Sequence, residues 1–262
     1  MGMNQSTCFV CIGAGNVATH LVRKLCSEGF DLMQVYSRTG KSARLLADTY
    51  KAGYTTTISK ILTNADFYLV ALPDLILPGF FKEFKTCDKL IVHTAGSIGL
   101  EVFGEKFRYP GVMYPLQTFT RNIELDLVEV PFLIEAGDKK TLLNIKRIAR
   151  IISKKVYITD SETRKWIHLA AVFACNFTNH MLVASSEILQ YKNLDPEILK
   201  PLIEETFRKS LTMNPAEAQT GPAVRNDTNT INKHIKMLEN QALLQKIYTF
   251  TSRSIQNTKS TR

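Results

Sequence analysis

The run Cys8-Phe9-Val10-Cys11-Ile12-Gly13-Ala14-Gly15-Asn16-Val17-Ala18 narrows the possible folds of this chain more than any other segment. An apolar stretch of strand length breaks into a glycine turn, and Val17, Leu21, Val22 and Leu25 then recur at helical spacing. Strand, G-x-G-x-x-A turn and helix in that order form a dinucleotide-binding fingerprint. Gly13 allows the tight turn, Gly15 keeps a side chain away from a pyrophosphate, and Ala18 lets the helix pack close to its strand. Ala14, Asn16 and Val17 complete the turn, where unpaired N–H groups at the helix N-terminus can meet phosphate oxygens.

A second strand is expected over Leu32–Tyr36, followed by the loop Ser37-Arg38-Thr39-Gly40-Lys41. NAD-specific folds place a carboxylate near here to hold the ribose 2′-hydroxyl, and that charge repels a 2′-phosphate. This chain offers Ser37, Arg38 and Thr39 instead, with Lys41 close behind. The guanidinium can present a planar fork to a phosphate, and the hydroxyls can donate to it. The expected cofactor is therefore NADP(H).

Strand-like and helix-like segments alternate onward, which marks a doubly wound sheet. Phe67–Leu72 and Leu90–His93 read as buried strands, followed by Pro73-Asp74 and Thr94-Ala95-Gly96-Ser97. Open sheets bind ligands at such carboxyl ends, so Leu72, Pro73 and Thr94 are expected beside the cofactor. Further strands are expected at 112–114, 132–136 and 155–159, with a helix over 141–153. The sheet domain would end near Asp160.

Glu162–Tyr191 is mostly apolar with helical spacing and neither Gly nor Pro inside, so it predicts one long helix. Pro196, Pro201, Pro215 and Pro222 punctuate shorter helices behind it, and Thr258–Arg262 reads as a frayed tail. A helix that apolar needs cover on more than one side, which suggests homodimerisation through the helical half. The fold class is thus α/β: a doubly wound, Rossmann-type, mostly parallel sheet over 1–160 and an all-α domain over 161–262.

With 45% hydrophobic residues, 262 residues suffice for one large or two ordinary domains. No uninterrupted apolar run approaches membrane-span length and no secretory signal is evident, so a cytoplasmic protein without a membrane partner is expected. Five cysteines spread through apolar runs suit free thiols. Cys8 and Cys11 lie three apart in a strand and face opposite ways, so they make no metal or redox pair. No metal site is expected. The net charge of +9 could suggest nucleic acid. However, Lys139, Lys140, Lys146, Arg147, Arg150, Lys154 and Lys155 have no organising motif and read as the wet face of an amphipathic helix.

The fingerprint, the Ser37-Arg38 pair and the helical second half together resemble the 6-phosphogluconate dehydrogenase-like superfamily. The first half is similar to pyrroline-5-carboxylate reductases and deazaflavin-dependent NADP oxidoreductases. The whole chain resembles a group of NADP oxidoreductases that joins a Rossmann-like domain to a helical domain of unknown function, domain 2520. The matching segments are His93–Ser97, Tyr114-Pro115-Leu116-Gln117, His168–Phe173 and Thr220–Asp227. The resemblance implies the fold and leaves the substrate open. Superfamily members commonly set a lysine and an asparagine one turn apart on the long helix. Here Lys165 is followed by Leu169 and His168 by Val172, so that pairing is broken.

Hydride transfer needs no protein nucleophile, only an orienting pocket and a group that protonates or stabilises the substrate's oxygen or nitrogen. His93 at the end of a strand, His168 early on the long helix and Asn176 two turns later are the catalytic candidates, with His180 a weaker one. Tyr114 and Gln117 after a strand, and Arg225 in a Gly-Pro loop, are candidates for a small-molecule substrate. Packing, capping and, for Arg225, an intramolecular salt bridge are the competing structural roles. The reading is an NADP(H)-dependent oxidoreductase acting on a small carbonyl, imine, or hydroxy or amino acid in the interdomain cleft. A non-catalytic NADP(H) sensor or dimeric scaffold is the alternative, and a flavin-like co-substrate is a third possibility that follows from the deazaflavin resemblance.

Overall fold

A computed structural model describes residues 6–85 and 88–260, with the side chains of 259 and 260 excepted. The chain forms two compact units, one reaching to Asn176 and one starting at Phe177. Cys87 lies outside the described residues, and the four described cysteines are free.

The first unit is built on one sheet of β1 (Cys8–Ile12), β2 (Asp31–Tyr36), β3 (Gly53–Thr55), β4 (Phe67–Val70), β5 (Leu90–His93), β6 (Tyr109–Pro115), β7 (Phe132–Ala136) and β8 (Val156–Ile158). Their spatial order is β3-β2-β1-β4-β5-β6-β7-β8. Every pairing is parallel except β6 with β7. The order reverses beside β1, so its carboxyl end is the switch point where open sheets bind ligands. The short edge strand β3 is absent from the sequence reading, and β6 is longer than its apolar residues suggest.

Helices cover both faces, as a parallel sheet requires. Phe9 and Cys11 face a core shared with α1 (Asn16–Ser27), α2 (Gly40–Thr49) and α4 (Lys139–Ile152). Val10 and Ile12 point the other way, into a phenylalanine-rich layer of Phe80, Phe81, Phe84, Phe103 and Phe107 partly supplied by α3 (Leu77–Glu83). On α4 the expected basic face is open to solvent, with Lys139, Lys140, Arg147 and Arg150 exposed while Ile145, Ala149 and Ile152 are buried.

The expected long helix spans Ser161–Gln190, but not as one regular α-helix. It consists of α5 (Ser161–Ala171), a π-helical segment Val172–Phe177 and α6 (Thr178–Gln190). A wide turn of this kind shifts every following residue around the axis, so equal sequence spacing no longer means a shared face. The compact units divide at this segment. Within the single chain only Arg164 and Ala184 of the two α-helical parts are buried, so the cover expected for this stretch is not supplied by the described residues of the chain itself. By length and composition alone the helix is long and apolar enough to cross a bilayer, although polar residues interrupt its apolar run throughout. Its first turns are nonetheless fixed to the sheet by Ser161, Arg164 and His168.

The second unit continues with α7 (Lys200–Thr212), α8 (Pro215–Ala218), α9 (Thr228–Met237) and α10 (Ala242–Ser260). Asn214 and Asp227 cap α8 and α9 with their side chains. Its buried centre is small, Ala184, Leu238 and Leu244 with Tyr248 packed against them. The tail expected to fray from Thr258 continues the helix through Ser260, and Thr261 and Arg262 lie outside the described residues.

Candidate active site

At the end of β1 the chain turns through Gly13, whose φ of +116° is open to glycine and strained for other residues. A Cβ there would lie 2.2 Å from the Ala71 carbonyl oxygen. Gly13 N–H donates to Tyr36 O and Ala71 N–H to Ile12 O, each at 2.7 Å, so β2 and the β4 end both brace the turn. Gly15 is the N-cap of α1 and makes no side-chain cap, and the first helical turn carries no acid. A Cβ on Gly15 would meet nothing within 4 Å, so space lies open beside the helix's orphan N–H donors. Uncapped donors facing open space fit a dinucleotide pyrophosphate. Ala18 is fully buried under the helix.

Beyond β2, Ser37 Oγ lies 3.4 Å from Thr39 Oγ1 and accepts the Thr39 N–H at 3.4 Å. Arg38 beside them is exposed and, among the described residues, in no ion pair. Arg38 also lines an open pocket of about 250 Å³ with Tyr36, Leu72, Ile76 and Phe80. An apolar-floored pocket beside a guanidinium suits the adenine and 2′-phosphate of NADP(H). Leu72 is one of its lining residues, and Pro73 is exposed on the same connection. Thr94 is buried, and both its N–H and hydroxyl donate to Val70 O, at 3.1 and 3.5 Å.

At the carboxyl ends of β4, β5 and β6 a second group gathers. Tyr114 OH and His168 Nδ1 are 2.9 Å apart, with their rings edge to face. The backbone of Gly96 fits against both, since a Cβ there would come within 2.7 Å of His168 Nδ1 and 2.8 Å of Tyr114 Cζ. Ser97 Oγ donates to Asp74 Oδ2. Burial, aided by the Asp74 charge and opposed by Arg164, pushes the Tyr114 phenol up to about 12. It therefore stays protonated at neutral pH.

Beneath this group lies a fully buried arginine. Arg164 Nη1 pairs with Glu135 Oε2, and Nη2 donates to Ile98 O at 2.6 Å. Ser161 donates to the same carboxylate through N–H at 3.0 Å and through Oγ at 2.9 Å. Arg164 and His168 stand one turn apart on α5 and so share a face. The clamp ties α5, β7 and the loop after β5 together directly below the Tyr114–His168 contact.

The other expected site residues are not among these contacts. His93 is fully buried and stacked 5.4 Å from Phe103, and its Nδ1 accepts the Ala95 N–H at 3.2 Å. Burial and the Arg164 charge push it down to about 3, which leaves it neutral and out of contact with solvent. A group without access cannot pass a proton to a ligand, so His93 packs the core. Asn176 is exposed at the end of the π segment, off the register that regular helix spacing from His168 implies. Gln117 turns its Oε1 back to accept the Thr118 N–H at 2.8 Å. Arg225 is exposed in the second unit, and Asp227 beside it caps α9 by accepting the Thr230 N–H and hydroxyl.

Sequence reasoning placed Asp74 and Ser97 in crevice segments without giving them a role, and missed Glu135 and Arg164 altogether. The missed signal was a charge at a position one turn before His168, on a helix otherwise apolar enough to be buried.

With this geometry in view, the comparisons are specific. Residues 9–96 match the family model described as NADP oxidoreductase, coenzyme F420-dependent, and residues 130–255 match domain of unknown function 2520. A Bacteroides fragilis structure described as a candidate NADP oxidoreductase is 44% identical, with 96% of this chain and 98% of that one covered and a TM-score of 0.89. The fold is shared more distantly with an imine reductase from Myxococcus stipitatus solved with NADP+, at 13% identity, coverages of 97% and 94% and a TM-score of 0.68. It is shared also with 1-pyrroline-5-carboxylate reductase from Streptococcus pyogenes, at 10% identity, coverages of 96% and 99% and a TM-score of 0.61. No curated protein matches. The chain belongs to the NADP-dependent oxidoreductase family that joins this nucleotide-binding domain to domain of unknown function 2520.

Proposed function

We propose that the chain reduces, or in reverse oxidises, a small carbonyl or imine, hydroxy acid or amino acid, with the Tyr114–His168 pair handling the proton. The observation that carries this reading is the 2.9 Å contact between Tyr114 OH and His168 Nδ1 at the carboxyl ends of the strands. Bound NADP(H) supplies or accepts the hydride at the reacting carbon. Gly13–Ala18 holds its pyrophosphate, and Ser37, Arg38 and Thr39 its 2′-phosphate. Tyr114, protonated at neutral pH, gives its proton to the substrate's oxygen or nitrogen as the adjacent carbon is reduced, so the C=O or C=N bond gains one hydride and one proton. His168, whose Nδ1 contacts the phenol oxygen, relays a proton from solvent back to the phenolate. Asp74 and Ser97 line the same place.

NADPH oxidation measured against a panel of small carbonyls and imines tests this. Tyr114→Phe should lower kcat by about 10²–10⁴ while leaving NADPH affinity unchanged. A variant as fast as the wild type contradicts the proton role, and absence of turnover on every substrate favours a non-catalytic NADP(H) sensor. The family model's reference to coenzyme F420 supports a second reading, with a deazaflavin as hydride partner. NADPH-driven bleaching of that coenzyme's visible absorbance would reveal it.

We also propose a homodimer formed by a second copy against the helical half. Exposed Trp166, Phe173, Leu202, Leu211 and Phe250 support it, since large apolar surfaces rarely stay open to water. A monomer mass in sedimentation equilibrium would reject it.

A further inference from the structure

We propose that Arg121 is a positioning residue of the dinucleotide site, strengthening its grip on the cofactor's pyrophosphate through the Ala14–Gly15 peptide. The proposal rests on the cofactor reading above. It adds a residue outside both segments matched by the family models, 9–96 and 130–255.

The turn Gly13-Ala14-Gly15-Asn16-Val17-Ala18 contains no basic side chain, although a pyrophosphate brings concentrated negative charge. Helix N–H groups supply partial charge only. The full charge comes from far along the chain. Arg121 Nη2 donates to Ala14 O, the carbonyl of the peptide whose N–H belongs to Gly15. A donor on the carbonyl polarises that amide, so Gly15 N–H becomes a stronger donor, and a Cβ built on the same residue would meet nothing within 4 Å.

Two features separate this arginine from a surface residue resting on a turn. First, its segment is tied to α1 along its length: Asn16 Nδ2 donates to Phe119 O at 2.8 Å, His20 Nε2 lies 3.0 Å from Thr120 O, and the His20 and Phe119 rings touch at 5.3 Å. Second, among the described residues no carboxylate pairs with Arg121, and its Nε is buried without a hydrogen-bond partner. A half-buried cation that no carboxylate neutralises, held against an uncapped helix N-terminus, complements an anion.

The test is calorimetric binding of NADPH and of adenosine 2′-monophosphate, which keeps the adenine and 2′-phosphate but has no pyrophosphate. Arg121→Gln should weaken NADPH about tenfold and leave adenosine 2′-monophosphate unchanged, and Arg121→Lys should recover most of the loss. NADPH affinity in the wild type should also fall more steeply with added salt than in Arg121→Gln. The proposal is overturned by an unchanged NADPH affinity, by equal losses for both ligands, or by a lysine variant no better than glutamine. Equal losses would assign Arg121 to holding the loop in shape. If Arg121→Gln loses its thermal transition, Arg121→Met takes its place in every comparison, with the same outcomes supporting or overturning the proposal. Failure of the wild type to bind NADPH at all overturns the cofactor reading as well, and is visible before any variant is made.

Discussion

The dinucleotide turn and the Tyr114–His168 cluster lie at the carboxyl ends of one sheet, yet they are assembled in opposite ways. The turn comes from a single run, Cys8–Ala18, whose strand, glycines and helix carry their geometry in local backbone preferences. The cluster draws Asp74, Gly96, Ser97, Tyr114, Glu135, Arg164 and His168 from separated segments, and only the folded sheet brings them together. The first site is therefore held by backbone conformation, and the second by a buried ion pair beneath it.

That difference can be tested at its strongest point. Arg164→Met strands Glu135 in a half-dry site and should destabilise the fold by about 3–5 kcal/mol, measured by denaturant unfolding. Arg164→Met with Glu135→Leu should recover much of this, because removing both charges leaves none unpaired. A single variant as stable as the wild type would show that the cluster is not built on the clamp.

The turn should respond to backbone change instead. Gly13→Ala forces a Cβ toward Ala71 O at a positive φ, at a cost of about 1–3 kcal/mol. NADPH affinity should then fall about a hundredfold or more. Wild-type affinity in this variant would mean that the turn tolerates reshaping and that backbone geometry does not set the site.

A smaller effect separates His93 from the accessible pair. Its folded value of about 3 lies below the ordinary 6.5, so the unfolded chain binds the extra proton. The stability from keeping His93 neutral is fully present above pH 6.5 and declines as pH falls toward 3. Between pH 6.5 and 5 the loss should approach about 2 kcal/mol. His93→Asn should flatten that slope in unfolding measurements at the two pH values, and an equal slope in both proteins would place the acid sensitivity elsewhere.

The contrast also explains what could be read from the chain alone. The fingerprint, the strands ending at Ile12 and His93 and the wet face of α4 are legible because each is encoded by neighbours at fixed periods. Tyr114 and His168 could be named as candidates but not as partners, since their contact depends on Gly96 lying between two distant elements. His93 misled because a strand-end histidine looks the same in sequence whether it faces a crevice or, as here, Phe103. Asn176 misled because a π segment breaks the helical count, and nothing in Val172–Phe177 announces the wider turn. Arg164 stayed hidden because its partner, Glu135, lies on a strand distant in sequence, β7.

The most direct test of the account is a calorimetric titration with NADPH and NADH of the wild type and of Arg38→Ala. Tight NADPH binding, weaker NADH binding, and a loss of about tenfold or more for NADPH alone in the variant would place the 2′-phosphate on the Ser37–Thr39 loop. Equal affinity for the two cofactors, or a variant that binds NADPH as the wild type does, would contradict it.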